Sequence, residues 1–229
     1  MNYRYYTNNS IKATTGLVAA YNMIPSNGTL VDISGNGKDL TVAGMLRTKD
    51  GLQSKGNGSD SRLYTYAKIL DLNTVWSVAF CFSNYTPSAS VDFLIGGAAT
   101  ENILLKTVGG YVGYRESNGT YHNSTILSST IAKNKNTIVV TSNGTIVSFY
   151  INGVAAGTVT PTSTSIYVVD IIQGYYTAAF TPNVNLIDAR FYNRELTEQE
   201  IKEYHNSFIK PVILEDFSNY AVSETRPKE

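Results

Sequence analysis

Apolar and polar residues alternate in short runs along most of the chain. In the clearest stretch, residues 137–159, three such runs are separated by turns at Asn143-Gly144 and Asn152-Gly153. Asn-Gly tolerates the positive φ values of a type I′ turn, so the dipeptide between apolar runs is a strong hairpin signal. We therefore predict a three-stranded antiparallel meander, with strands at 137–141, 146–151 and 154–159.

The same turn signal recurs along the chain, since Asn-Gly also occurs at Asn27, Asn36, Asn57 and Asn118. Further strand patterns fall at 16–22, 63–68, 75–83, 93–96, 103–107, 111–116, 120–124, 165–173 and 184–192. Tight turns link antiparallel neighbours, whereas parallel pairs need long crossovers. The chain is therefore predicted to be all-β, with antiparallel strands forming a two-sheet sandwich.

Only one segment has the local signals of a helix. Thr197 with Glu200 three residues later forms a capping box, and Leu196 with Ile201 forms a hydrophobic staple. Pro211 limits the helix at its other end. These signals predict a short C-terminal helix over Thr197–Ser207.

The two ends of the chain do not follow the strand pattern. We predict an N-terminal arm at 1–14, one domain at 15–208 and a C-terminal extension at 209–229. Apolar groups in free tails would be left in water, and aromatic residues are common anchors of interfaces. We therefore expect the arms to mediate assembly, through Tyr3, Tyr5, Tyr6, Leu214, Phe217 and Tyr220.

Four segments carry a family resemblance: the run at 16–21 with the Asp-x-Ser-Gly-Asn-Gly loop at 32–40, the strand at 75–82, the hairpin at 137–159, and the strand and helix at 187–201. In that order they resemble the laminin-G-like branch of the concanavalin A-like lectin/glucanase superfamily. The resemblance implies a jelly-roll sandwich. It does not fix a function, since such folds serve lectins, glucanases, adhesion domains and viral spike parts.

Charge and cysteine content narrow the function classes. The chain has 18 basic and 18 acidic residues, and 16% of positions are charged. A nucleic-acid binder relies on a basic surplus, so nucleic acids and anionic membranes are disfavoured as partners. The single cysteine, Cys81, lies in an apolar run, and we expect it to be buried.

The sequence shows no catalytic constellation. Glucanases of the superfamily carry a Glu-x-Asp-x-Glu strand, which places carboxylates on one face, and no such run occurs here. Asp92 and Glu116 are isolated in the sequence, and neither His122 nor His205 lies near a nucleophile motif. We therefore predict that the protein is not an enzyme.

The loop at 32–40 has two interpretations. Asp32, Asn36 and Asp39 offer hard oxygen ligands, and some relatives in the superfamily bind calcium at the rim. Alternatively, Asp32 and Asn36 bond their own backbone and shape a tight turn. We expect that no cofactor is required for folding, with calcium as an alternative.

Aromatic residues predicted to lie in loops and hairpins are the candidates for carbohydrate binding, because flat rings suit sugar rings. They are Tyr111, Tyr114, Tyr121, Tyr175 and Tyr176. The alternative is that each tyrosine simply fits a β-rich protein. The only tryptophan, Trp76, follows an alternating pattern and is expected in the core.

The first functional hypothesis is a non-catalytic subunit of a bacteriophage virion, such as a head fibre, decoration or tail-associated protein. The N-terminal residues lack the apolar stretch of a signal peptide, although the fold that the resemblance implies usually acts outside cells. A virion protein, assembled in the host cytoplasm, satisfies both conditions. Its expected partners are copies of itself, other virion proteins and cell-surface glycans. The alternative is a carbohydrate-binding module of a secreted bacterial adhesin or glycoside hydrolase.

Overall fold

A computed structural model describes residues 13–55, 61–64, 70–96, 102–131, 133–168, 170–172 and 182–209. Within these ranges, one 3-10 helix at Ser128–Ile131 and one α-helix, α1, at Glu198–Ile209 accompany eighteen strands. In chain order the strands are β1 (Leu17–Asn22), β2 (Thr29–Leu30), β3 (Leu40–Ala43), β4 (Leu46–Arg47), β5 (Leu52–Gln53), β6 (Arg62–Tyr64), β7 (Leu70–Leu72), β8 (Val75–Thr86), β9 (Asp92–Gly96), β10 (Asn102–Lys106), β11 (Tyr111–Arg115), β12 (Tyr121–Leu127), β13 (Asn136–Asn143), β14 (Val147–Ile151), β15 (Val154–Val159), β16 (Ile166–Val168), β17 (Asp170–Ile171) and β18 (Asn183–Tyr192).

The described strands form two large antiparallel sheets and one small strand pair. The first sheet has the order β15-β14-β13-β8-β18-β5-β4, and β1 pairs with the other end of β18. The second sheet has the order β12-β11-β10-β9-β17-β6-β3-β2, and β16 pairs with β7. The predicted all-β, antiparallel two-sheet sandwich is therefore confirmed.

The core lies between the two sheets. Alternate residues of β8 point inward, so that Val78, Phe80 and Phe82 are fully buried against residues of the second sheet such as Leu94 and Leu105. Trp76 belongs to the same cluster, as predicted. Cys81 points the opposite way from Phe80 and is also fully buried.

The C-terminal helix covers the outer face of the first sheet. Ile201 and Tyr204 pack against Ala79, Val139 and Tyr192 on that face. The capping box is present, because the Glu200 carboxylate accepts a hydrogen bond from the Thr197 N–H and the Thr197 hydroxyl oxygen accepts one from the Glu200 N–H. The predicted helix is confirmed. Among the described residues, no helix has the length and apolar character needed to cross a membrane.

Some predicted elements differ in extent. The predicted strand at 120–124 continues to Leu127, and the one at 165–173 comprises two short strands, β16 and β17. The short strands β2, β3, β4, β5 and β7 were not predicted. The arm residues Tyr3, Tyr5, Tyr6, Leu214, Phe217 and Tyr220 lie outside the described residues, so the domain boundaries and the role of the arms stay predictions.

Candidate functional site

The β11–β12 hairpin at the edge of the second sheet carries three of the predicted sugar-binding tyrosines. Tyr114 pairs with His122 and Arg115 pairs with Tyr121 across the hairpin, while Tyr111 lies opposite Leu127. Successive residues of a strand point to opposite faces. The hairpin therefore divides these tyrosines between the core and the outer surface.

The outward side chains Tyr111, Arg115, Tyr121 and Asn123 form what we call the hairpin face. Tyr111 and Tyr121 are both partly exposed. The register places them four residues apart along the strands, a separation of about 13 Å. The hairpin face thus presents two partly exposed aromatic rings on one surface.

The hairpin face is held from beneath by packing. Tyr121 packs against a buried outward-facing cluster of Val91, Phe93 and Leu104. Gly113 of β11 pairs with Leu104 of β10 on one side and with Asn123 of β12 on the other. The Thr107 hydroxyl donates a 2.7 Å hydrogen bond to Asn123 Oδ1 above this glycine. Tyr121 therefore stands on a preformed surface.

The prediction that Tyr114 contacts a sugar is wrong, because its side chain is fully buried. Its ring stacks on Trp76 with a centroid distance of 6.5 Å, and its hydroxyl donates a 3.1 Å hydrogen bond to the Ser163 carbonyl. A ring enclosed in the core has no face left for a sugar. Tyr114 is a core residue that anchors the loop at 160–165. Tyr175 and Tyr176 lie outside the described residues.

Glu116 and His122, which are isolated in the sequence, come together at the end of the hairpin. Glu116 is buried, with its Oε1 2.5 Å from His122 Nε2. Both the backbone N–H and the hydroxyl of Thr162 donate to the same carboxylate. Burial opposes ionisation of Glu116, but the hydrogen bonds from Thr162 and His122 outweigh it and lower the pKa of this carboxyl.

The Glu116 cluster supports the hairpin face from its inner side. Trp76 Nε1 donates to the Thr164 carbonyl, so Glu116, Tyr114 and Trp76 together fix the loop at 160–165 against the hairpin. The contact between Glu116 and His122 could have been predicted from the hairpin pattern at 111–124. A register that pairs 115 with 121 brings residues 116 and 122 close together.

The loop at 32–40 shows the turn-shaping arrangement. Asp32 Oδ1 accepts hydrogen bonds from the N–H groups of Ala20 and Ser34, and Oδ2 accepts from the Ser34 hydroxyl and the Lys38 N–H. A carboxylate has about four lone-pair sites, so all of them are used. Burial opposes ionisation, but these hydrogen bonds outweigh it and lower the pKa of Asp32.

The other two calcium candidates, Asp39 and Asn36, also form hydrogen bonds with backbone groups. Asp39 Oδ1 accepts a 2.8 Å hydrogen bond from the Asp32 N–H, and Asn36 donates its side-chain amide to the carbonyls of Leu17 and Val18. Among the described residues, no group of three or more His, Cys, Asp or Glu side chains is placed to hold a metal ion. All three candidates thus bond backbone groups of this loop or of β1, and calcium binding by them stays an untested alternative.

A third buried carboxylate joins the helix to the first sheet. Arg190 makes two hydrogen bonds to Asp188, of 3.0 and 3.3 Å, and the Tyr204 hydroxyl donates a third of 3.0 Å. Burial raises the pKa of the Asp188 carboxyl, and the contact with Arg190 counteracts that effect. This cluster lies beneath α1 and ties the helix to the sheet.

The fold is a two-sheet antiparallel β-sandwich. The sequence matches no protein-family model and no curated protein sequence. Solved structures do match. Trypanosoma rangeli sialidase with a difluorosialic acid intermediate aligns at a TM-score of 0.59 and 15% identity, over 85% of this chain and 33% of the sialidase.

Two toxin domains are similar in fold as well. The binding domain of botulinum neurotoxin serotype D aligns at a TM-score of 0.60 and 14% identity, over 85% of this chain and 52% of that domain. The binding domain of Paraclostridial mosquitocidal protein 1 aligns at 0.58 and 15%, over 85% and 53%. The chain thus spans about a third of the sialidase and about half of each toxin domain. These likenesses show the fold.

Proposed function

We propose that this protein is a non-catalytic carbohydrate-binding module and that the hairpin face is its binding surface. The observation that carries the proposal is the outward pair Tyr111 and Tyr121, about 13 Å apart on a packed hairpin. Polar groups near aromatic rings fix the orientation of a ligand, and Arg115 and Asn123 lie beside these rings. A short glycan is the ligand class that such a surface suits.

The roles of the buried carboxylates favour binding over catalysis. A glycosidase generally needs two carboxyl groups that flank the scissile bond, one of them positioned as an acid. Glu116, the acid next to the hairpin face in sequence, points inward and is occupied by Thr162 and His122. Asp32 and Asp188 are likewise occupied, in the loop at 32–40 and beneath the helix.

The structural neighbours also support a binding role. Two of them are described as binding domains of toxins, and the third is a sialidase that has been solved with sialic acid. Fold likeness at such low identity carries no ligand across by itself. It does favour a search among glycans first.

A glycan array with the full chain tests the proposal. We expect defined oligosaccharides to bind and to remain intact after long incubation. Tyr121→Ala should weaken the best ligand by about tenfold, or about 1.4 kcal/mol, while Tyr121→Phe should retain binding because the ring remains. The proposal is wrong if no glycan binds, if Tyr121→Ala binds as well as the natural chain, or if the glycan is cleaved.

We further propose that the module serves on a bacteriophage virion, where it contributes to attachment or assembly. Its core is extensive and its one cysteine is buried, so folding needs no disulfide and is compatible with a reducing cytoplasm. The sequence resemblance to laminin-G-like domains and the apolar groups of the terminal arms support the same proposal. Immunogold labelling of virus particles purified from the source culture tests it, and particles without label would contradict it.

The proposed role of the arms has its own experiment. In analytical ultracentrifugation, the full chain should form oligomers, whereas residues 15–208 should be monomeric with a nearly unchanged melting temperature. An early-melting shortened chain would mean that the arms stabilise the sandwich instead. Unchanged assembly of the shortened chain would mean that they have no part in association.

A further inference from the structure

Arg115 has an unused positive charge on the hairpin face. Its guanidinium carbon lies 5.6 Å from the centroid of the Tyr121 ring, and its Nε is buried without a hydrogen-bond partner. No ion pair joins it to an acidic residue in the part of the chain that the structure describes. The Nε has almost no surface open to a ligand, so the terminal nitrogens of the guanidinium are the donors that could take a ligand oxygen.

The neighbouring acid does not neutralise this charge. Glu116 follows Arg115 directly, but successive residues of a strand point to opposite faces. Its two oxygens are engaged by Thr162 and His122 on the inner side. Two other arginines are paired with a carboxylate: Arg190 forms two hydrogen bonds to Asp188, and Arg194 forms two to Glu200.

We infer that the hairpin face binds a glycan that carries a carboxylate, with Arg115 pairing the carboxylate and Tyr121 contacting the sugar ring. This inference rests on the proposed carbohydrate-binding function and adds the class of sugar. A guanidinium matches a carboxylate with two parallel N–H···O bonds, which is the geometry that Arg190 and Arg194 already show. A ligand carboxylate would pair with the terminal nitrogens of Arg115, which form no ion pair with an acidic side chain among the described residues.

The charge pattern selects a sugar acid over a polyanion. The chain has no net charge, and one arginine on the hairpin face matches one carboxylate. Nucleic acids and highly sulfated polymers are held by several cations at once. Sialic acids and uronic acids both present a single carboxylate on a sugar ring, so they share the required chemistry.

Isothermal titration of the full chain tests the inference with matched acidic and neutral probes. The pairs are 3′-sialyllactose against lactose, and a glucuronic-acid-terminated disaccharide against its glucose counterpart. At least one acidic probe should bind about tenfold or more tightly than its neutral partner, because hydrogen bonds to charged groups are the stronger kind. The tighter acid identifies the source of the carboxylate.

Variants of arginine give the sharpest comparison. Arg115→Gln should remove the acidic preference, and Arg115→Lys should retain only part of it because lysine lacks the two-pronged geometry. Arg62→Gln is the matched control, since Arg62 also lies over a tyrosine, 4.3 Å from the Tyr64 ring centroid, and also has an unpartnered Nε. Arg62 lies four strands from β11, about 19 Å away. Its loss should leave binding unchanged.

The outcomes separate the two proposals. The inference stands if the acidic preference disappears in Arg115→Gln and persists in Arg62→Gln, with melting temperatures unchanged. It falls if both variants behave alike or if Arg115→Gln binds normally. Equal binding of acidic and neutral probes that still depends on Tyr121 overturns the inference but leaves the carbohydrate-binding function intact. Failure of every glycan to bind overturns both.

Discussion

At the scale of single residues, buried acids tie distant segments of this protein together. Asp32 ties the loop at 32–40 to β1, Glu116 ties the loop at 160–165 to the hairpin, and Asp188 ties α1 to the first sheet. Asp92 is a partial exception. Its Oδ2 accepts from Tyr85 and Ser88, while its Oδ1 has no partner. Each satisfied acid is a point at which one substitution loosens a whole segment.

Asp32→Ala gives the most direct test of this role. Removing the carboxylate leaves four donors without their acceptor, including the N–H of Ala20 in β1. We expect a loss of about 1–3 kcal/mol in the free energy of unfolding. Asp50→Ala is the control, because Asp50 is exposed, and it should change stability by less than about 0.5 kcal/mol. Equal effects in urea denaturation would contradict the account.

Glu200 predicts a pH dependence of stability. The hydrogen bonds from Arg194, followed by those from Thr197, lower the pKa of Glu200 to about 2, against an ordinary value of 4.5. A lowered folded-state pKa gives stability that is present above the unfolded pKa and lost as the pH falls. Glu200→Gln should therefore melt below the natural protein at pH 6. This gap should shrink between pH 4.5 and 2, and a gap independent of pH would contradict the assignment.

The sequence could predict some residue roles and not others. For Asp32 the sequence left two interpretations open, a calcium ligand or a turn-shaping residue in a loop that contains Gly35 and Gly37. The Glu116–His122 pair was accessible from the hairpin register alone. The contact of Glu116 with Thr162 was not, since it joins residues 46 positions apart through the packing of two sheets.

At the scale of elements, Asn-Gly turns and alternation mark the longer strands. Asn152 and Gly153 have φ values of 53° and 76°, as a type I′ turn requires, and Asn152 Oδ1 also accepts from the Thr137 N–H. Five strands of two to four residues, β2, β3, β4, β5 and β7, escape prediction because they are too short to show alternation. Their strand conformation depends on hydrogen bonding to a neighbouring strand, as between β2 and β3 and between β4 and β5.

The hairpin yields a prediction at this scale. A Cβ at Gly113 would lie 2.3 Å from Thr107 Cγ2 and 2.5 Å from the His122 carbonyl oxygen. Gly113→Ala should cost about 1–3 kcal/mol of stability and also weaken glycan binding, because Thr107 and β12 must shift. Gly28→Ala is the control. It has no neighbour within 4 Å, so only its φ of +79° adds a strain of about 1 kcal/mol.

Thermal melting and glycan titration of both variants decide the matter. Gly113→Ala should lose affinity, whereas Gly28→Ala should keep it, since Gly28 lies in the turn before β2 at the far edge of the second sheet. If both variants bind the glycan alike, the packing around Gly113 has no part in recognition.

At the scale of the whole molecule, four ordered segments were enough to predict a two-sheet sandwich closed by a helix. They could not predict the order of the strands, because the neighbours β8 and β18 are separated by about a hundred residues. The hairpin face was half predicted. Tyr111 and Tyr121 were named, Tyr114 was misplaced because its strand alternation directs it inward, and Arg115 was not considered.

The central claim is that the hairpin face binds a glycan, and nuclear magnetic resonance tests it most directly. Backbone amide shifts of the full chain should be recorded during titration with the best glycan from the array. We predict that the shifted amides cluster at 111–127, and that Tyr121→Ala removes those shifts while the rest of the spectrum stays folded. Shifts centred on another part of the sandwich, or no shifts at saturating glycan, would contradict the account.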